Sequence, residues 1–220
     1  MIISSFLNLL FPPKCILCQG LLQPGEVDIC QACREHTEEF DRADKKFSFV
    51  AGWTSLWYYK DSVRQSLLRY KFRNRRSYGA AYGRLLAMNH MKKPICQYDI
   101  LTWVPLSRKR LWKRGFDQVE AIARSMGQEL GTPAQATLKK VRNTGVQSTL
   151  QDVSQRRANV LGAYVPLEPA TIAGKRILLL DDIITTGSTV SECARVLLTA
   201  GASEVYCAAV AAPHHTKKHR

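Results

Sequence analysis

The sequence predicts an α/β protein: a mainly parallel sheet flanked by helices, preceded by a small cysteine-rich module. Three observations carry this. From residue 46 onward strand-like and helix-like segments alternate, the order that a parallel sheet requires. "RILLL" (176–180) is uninterrupted apolar chain, as in a strand covered on both faces. Four of the seven cysteines fall before residue 45, in two close pairs. At 220 residues the chain can bury one good core with a small appendage. The expected division is a module over 1–45 and a larger domain over 46–220, joined through the polar stretch "EEFDRADKK".

Each element has its own signal. "MIISSFLNLLFPP" is apolar, but no basic residue precedes it and no small-residue cleavage site follows. It reads as a packing surface, with a membrane-surface helix through Ile2, Ile3, Phe6, Leu7 and Leu10 as the alternative. No stretch is long and apolar enough to span a bilayer. Cys15 and Cys18 are two residues apart, as are Cys30 and Cys33, with eleven residues between the pairs. Two such knuckles can supply four thiolates to one tetrahedral, structural Zn²⁺. Disulfides are the competing reading, which the lack of a secretion signal disfavours. Neither pair opens a βα unit, so redox catalysis fits less well.

"FVAGWTSLWYYK" is aromatic and β-branched, hence a strand. "DSVRQSLLRYKF" sets Val63, Leu67 and Tyr70 on one helical face, with Asp61 as N-cap. "YDILTWVPL" is a second strand, ended by Pro105. Asp117 and Glu120 form a capping-box pattern before the apolar stripe Val119, Ile122, Ala123, Met126 and Leu130. "ATLKKV" is a short strand. Val190, Cys193, Ala194 and Leu197 stripe the helix after "RILLL", and Gly201 suits its C-terminal end. "EVYCAAVAA" is a last buried strand, and "HHTKKHR" a solvated basic tail. Cys193 and Cys207 read as inert core thiols.

The charge balance narrows the partners. Thirty-two Lys and Arg against 18 Asp and Glu give a formal +14, with a pI near 9.7. An excess of that size points to polyanions: nucleic acid, phosphorylated ligands or an anionic surface. Seven cysteines without a secretory signal imply a reducing, cytoplasmic setting.

The chemistry concentrates in "ILLLDDIITTGST" (177–189). In open α/β sheets ligands bind beyond the carboxyl ends of the strands, so "RILLL" delivers Asp181 and Asp182 to that rim. "TTGST" (185–189) follows and opens a helix, so its N–H groups and hydroxyls form a phosphate cradle. Carboxylates beside a phosphate cradle suit a ligand that also carries hydroxyls or a metal ion, as a sugar phosphate does. This stretch resembles the signature of type I phosphoribosyltransferases. The resemblance implies that Asp181 and Asp182, the catalytic pair, contact the 2- and 3-hydroxyls of phosphoribosyl pyrophosphate. Thr185, Thr186, Gly187, Ser188 and Thr189 would hold its 5-phosphate, with Mg²⁺ bridging pyrophosphate and ribose.

Further segments are similar to one family in particular. "VPLSRKRLWKRGFDQVEAIAR", "TGVQSTLQDVSQRRANVLGAY", "LLFPPKCILC" and "RYKF" together resemble the ComF/GntX family, whose competence members support DNA uptake in bacteria. Asp117 stands where that family's pattern has Asn, and Tyr164 where it has Phe. The resemblance puts Pro105, Leu106, Ser107 and Arg108 in the pyrophosphate loop.

Basic residues also cluster at 64–76, at 108–114, and at Arg142 with Arg156 and Arg157, with rings among them. Lys71, Arg73, Arg110, Trp112, Lys113, Arg114 and Phe116 are therefore candidate contacts for single-stranded DNA. Some of these cations would equally serve pyrophosphate. Three functions compete: a competence factor binding phosphoribosyl pyrophosphate and single strands, a phosphoribosyltransferase acting on a nitrogen acceptor, and a zinc-module adaptor for a helicase-like partner such as ComFA.

Overall fold

A computed structural model describes residues 12–41, 45–144 and 158–214. The apolar opening at 1–11, the segment 145–157 with Arg156 and Arg157, and the basic tail beyond His214 lie outside them; His214 itself stacks on Tyr58 and lies 3.1 Å from Glu38. A short helix α1 (Gln31–His36) belongs to the cysteine module. The larger domain runs β1 (Gly52–Tyr58), α2 (Asp61–Phe72), α3 (Ser77–Lys92), β2 (Ile100–Trp103), α4 (Arg108–Arg114), α5 (Gln118–Glu129), β3 (Leu138–Lys140), β4 (Tyr164–Pro166), α6 (Pro169–Ile172), β5 (Arg176–Ile183), α7 (Ser188–Thr199) and β6 (Glu204–Ala212).

Four strands form one parallel sheet in the order β1-β6-β5-β2. β5 is central, and Ile177 to Leu180 are all fully buried. Their side chains alternate between two layers. Leu178 and Leu180 join the cluster under α2, α3 and α5, whereas Ile177 and Leu179 join the one under α7 with Val190, Cys193 and Leu197. Burying each such side chain stabilises the fold by about 1.5–3 kcal/mol. β3 and β4 pair antiparallel as a separate ribbon.

Two features depart from the sequence expectation. Asp61 is the first helical residue of α2 rather than its cap, which is Lys60, and Asp61 has φ +43°. The capping box before α5 is half formed. Asp117 accepts from the N–H groups of Val119 and Glu120, but the Glu120 carboxylate turns to Arg124.

α3 was not legible in the sequence. It buries Tyr78, Ala81, Tyr82, Leu85 and Leu86 and lies close against α5. A Cβ on Gly83 would come within 2.4 Å of the Ser125 Cβ, so glycine sets this approach.

The start of the joining segment is bonded onto the sheet. Phe40 N–H donates to the Leu56 carbonyl (2.9 Å), Glu39 bridges Trp57 antiparallel, and Phe40 packs on Trp53 and Tyr58. At the opposite edge Gln135 N–H donates to the Leu101 carbonyl (3.0 Å), and the Thr102 and Thr137 hydroxyls meet at 2.8 Å. The cysteine module docks on α2 and α3. Ser66 Oγ donates to the Ile16 carbonyl (2.5 Å), and Arg84 forms a two-point ion pair with Asp28.

Candidate functional site

The cysteine cluster assembles from two turns. In the first, Lys14 bridges Leu21, Cys15 N–H donates to the Gly20 carbonyl, and Gln19 takes φ +71°, so the chain folds back over Cys18. In the second, Cys30 caps α1 and Cys33 lies within it. All four Sγ atoms fall within 4.8 Å of one another. Burial first, then the neighbouring thiols, hold the Cys33 thiol well above the usual range. Such a set ionises fully only around a dication, and four thiolates with no further donor match a closed, structural zinc site.

The second site forms where β2 and β5 end side by side. Trp103 pairs with Leu180, and Val104 N–H donates to the Leu180 carbonyl (2.9 Å). That register sets Pro105 to Arg108 alongside Asp181. Asp182 N–H donates to Asp181 Oδ1 (2.8 Å). Burial first, then the charge on Asp182, push the Asp181 carboxyl up to about 8. Lys71 Nζ lies 2.8 Å from Asp182 Oδ2.

The loop beyond the acids turns at Gly187, φ +80°, which caps α7. Thr186 Oγ1 and Ser188 Oγ meet at 2.9 Å. A Cβ on Gly187 would come within 2.1 Å of Phe47, which follows the joining segment and packs over the turn. Residue type and packing therefore both require glycine here.

The loop after β2 is held from two sides. The Asp117 carboxylate accepts from Leu106 N–H (2.7 Å) as well as from Val119 (3.0 Å) and Glu120 (3.2 Å). One side chain thus ties the loop to the start of α5. Burial raises its pKa against those three bonds. Its extra charge is engaged in this way and does not face an incoming anion. Ser107 caps α4 and donates to Asn143 Oδ1 (2.8 Å).

Beside this loop lies an open groove of about 290 Å³, lined by Ser107, Arg108, Lys109, Lys139, Lys140 and Asn143. Lys140 was not singled out from sequence. It donates to Tyr164 Oη (3.0 Å), and burial first, then the charge on Arg110, push its ammonium down to about 8. The signal was the period of two in "LKK": β3 exposes Lys139 and turns Lys140 inward.

The residues proposed from sequence for nucleic acid divide. Trp112 is 89% exposed, and Arg73 and Lys113 are also exposed; Phe72, not among those candidates, is 70% exposed beside Arg73. Arg110 donates to the Thr144 carbonyl (3.1 Å). Arg114 is half-buried, with its guanidinium 5.5 Å from the Phe72 ring centre and a bond to Gln118 Oε1 (2.6 Å). Burial lowers its pKa and the charge on Asp182 opposes that shift. Phe116 is half-buried against Tyr70, under Arg76. Lys71 thus pairs with Asp182, Arg114 is engaged by Phe72 and Gln118, and Trp112 faces solvent. Among the described residues no helix is long and apolar enough to cross a membrane.

Comparison with known proteins agrees with this geometry. Residues 113–220 match the phosphoribosyl transferase domain family, and residues 6–43 the double zinc ribbon domain. DNA utilization protein YhgH of Salmonella typhi is 30% identical over 221 residues, covering 89% of this chain and 96% of that protein. Competence protein F of Haemophilus influenzae is 24% identical over 219 residues, covering 87% of this chain and 93% of that protein. Competence protein ComFC of Streptococcus pneumoniae is 29% identical over 153 residues, covering 69% of this chain and 64% of that protein.

Proposed function

Because the chain belongs to the ComF family, joining a zinc ribbon to a type I phosphoribosyltransferase-like domain, we propose that it is a DNA-uptake factor. In this reading it binds phosphoribosyl pyrophosphate at Asp181, Asp182 and the 185–189 loop, and single-stranded DNA on the outer basic surface. The observation that carries the ligand is the acid pair beside a cradle at a helix N-terminus, next to the loop 105–108 on the adjacent strand. A diol takes carboxylates, and a phosphate takes N–H groups and hydroxyls. Mg²⁺, when bound with the ligand, would supply positive charge between pyrophosphate and ribose at the acid pair.

Support for the DNA part is the exposed Trp112 and Phe72 among exposed Arg73, Arg108 and Lys113. An adaptor role is compatible with this and is favoured by a separate observation: Leu21 and Val27 are 56% and 59% exposed on the zinc module. Calorimetry with phosphoribosyl pyrophosphate and Mg²⁺ tests the ligand. Binding by the wild type that disappears in Asp181→Asn/Asp182→Asn supports the reading, and no heat in the wild type at millimolar ligand removes it. Pyrophosphate release on adding a base or amine would move the assignment to a transferase.

A further inference from the structure

The last turn of α2 makes contacts that its basic sequence does not suggest. Arg69 Nη2 donates to the carbonyls of Ile16 (3.0 Å) and Leu17 (2.5 Å), inside the first cysteine turn. Tyr70 Oη donates to the Gln118 carbonyl (2.7 Å) at the start of α5. Lys71, between these anchors and the exposed Arg73, turns inward to Asp182. The two paired side chains are only 18% and 13% exposed. Burying an ammonium is unfavourable unless an anion meets it. A lysine so placed offers little to a strand on the outer surface.

We infer that Lys71 is a positioning residue of the sugar-phosphate site and makes that site selective for sugars bearing an anionic group at C1. The inference rests on the sugar-phosphate reading above. Asp181 Oδ1 is occupied by the Asp182 N–H, and Asp182 Oδ2 by Lys71. A ribose diol approaching the Asp182 Oδ2 edge therefore displaces the ammonium. In a half-buried site the displaced charge needs another anion. Phosphoribosyl pyrophosphate brings one on the carbon next to the diol, and ribose 5-phosphate does not. Lys71 thus neutralises Asp182 in the free protein and passes to the C1 substituent in the complex. The anchored Arg69 and Tyr70 just before it hold its backbone, so the exchange needs only side-chain rotation.

The test is calorimetry on full-length, zinc-loaded protein with phosphoribosyl pyrophosphate and Mg²⁺, and separately with ribose 5-phosphate. Lys71→Met should weaken the first ligand by about tenfold or more, the factor for losing a charge-assisted hydrogen bond. It should leave ribose 5-phosphate unchanged or tighter. Equal weakening of both ligands would reduce Lys71 to a brace for Asp182 and overturn the inference, as would unchanged affinity for both. A wild type that binds neither ligand overturns the sugar-phosphate reading itself. If Lys71→Met fails to fold, the ¹⁵N ammonium resonance of Lys71 in the wild type decides. It should shift to one position with phosphoribosyl pyrophosphate, where it pairs with the C1 anion, and to a different one with ribose 5-phosphate, where it has lost Asp182 without gaining an anion; the same position with both refutes the inference.

Discussion

Single side chains set the properties of the acid pair. Asp181, pushed up to about 8 by burial and then by Asp182, holds its proton more tightly folded than unfolded. Its contribution to stability is therefore complete below the unfolded value and is lost as pH rises toward about 8. Lys140, pushed down to about 8, acts in the opposite sense above that pH, where folding favours its neutral form. Thermal midpoints of ligand-free protein from about pH 5 to about pH 8 should fall more steeply in wild type than in Asp181→Asn. Parallel curves would contradict this. Gly187→Val combines left-handed backbone strain with a clash against Phe47. It should cost about 1–3 kcal/mol in denaturant unfolding and abolish sugar-phosphate binding. The acids and the "TTGST" loop were legible because their chemistry is contiguous in sequence. The inward turn of Lys71 was not, because it depends on where α2 lies against β5.

At the scale of elements, periodicity and packing part company. α5 and α7 were legible from one apolar stripe each, since each presents one face to the sheet. α3 is buried on several sides and carries Gly79 and Gly83 in its interior, so neither stripe nor propensity marked it. α4 is a basic, seven-residue helix with no buried residue, held by the Ser107 cap and Gly115 at φ +73°. It therefore reads as charge alone. The glycine at the α3–α5 contact is testable: Gly83→Ala should cost about 1–3 kcal/mol by pushing the helices apart. A stability within error of the wild type would mean that Ser125 can give way. α2 is a strut, with Arg69 on the zinc turn and Lys71 on the acid. Arg69→Met should cost about 1.5–3 kcal/mol and hasten zinc loss to a chelator, followed by dye release at fixed pH. Unaltered release would show that the module holds its metal without the larger domain.

The whole molecule carries a formal +14, and the fold distributes it unevenly. Part is turned inward, as Lys71 is onto Asp182, and part lies on the outer surface around Trp112. Single-strand affinity should fall linearly with log salt, at about −0.7 per phosphate neutralised. Lys113→Ala with Arg73→Ala should flatten that slope. Trp112→Ala should weaken binding by about 1–3 kcal/mol and leave the slope, since stacking releases no counterions. A protein that binds no oligonucleotide at low salt would assign the surface charge to other anions. The sheet itself has a different kind of consequence. Its outer strands each take backbone bonds from neighbouring chain, residues 38–40 along β1 and Gln135 along β2. A growing ribbon needs a bare strand to template the next, and both of this sheet's edges are partly covered. Copies of the chain brought close together are thereby hindered from zipping onto one another along either edge of this sheet.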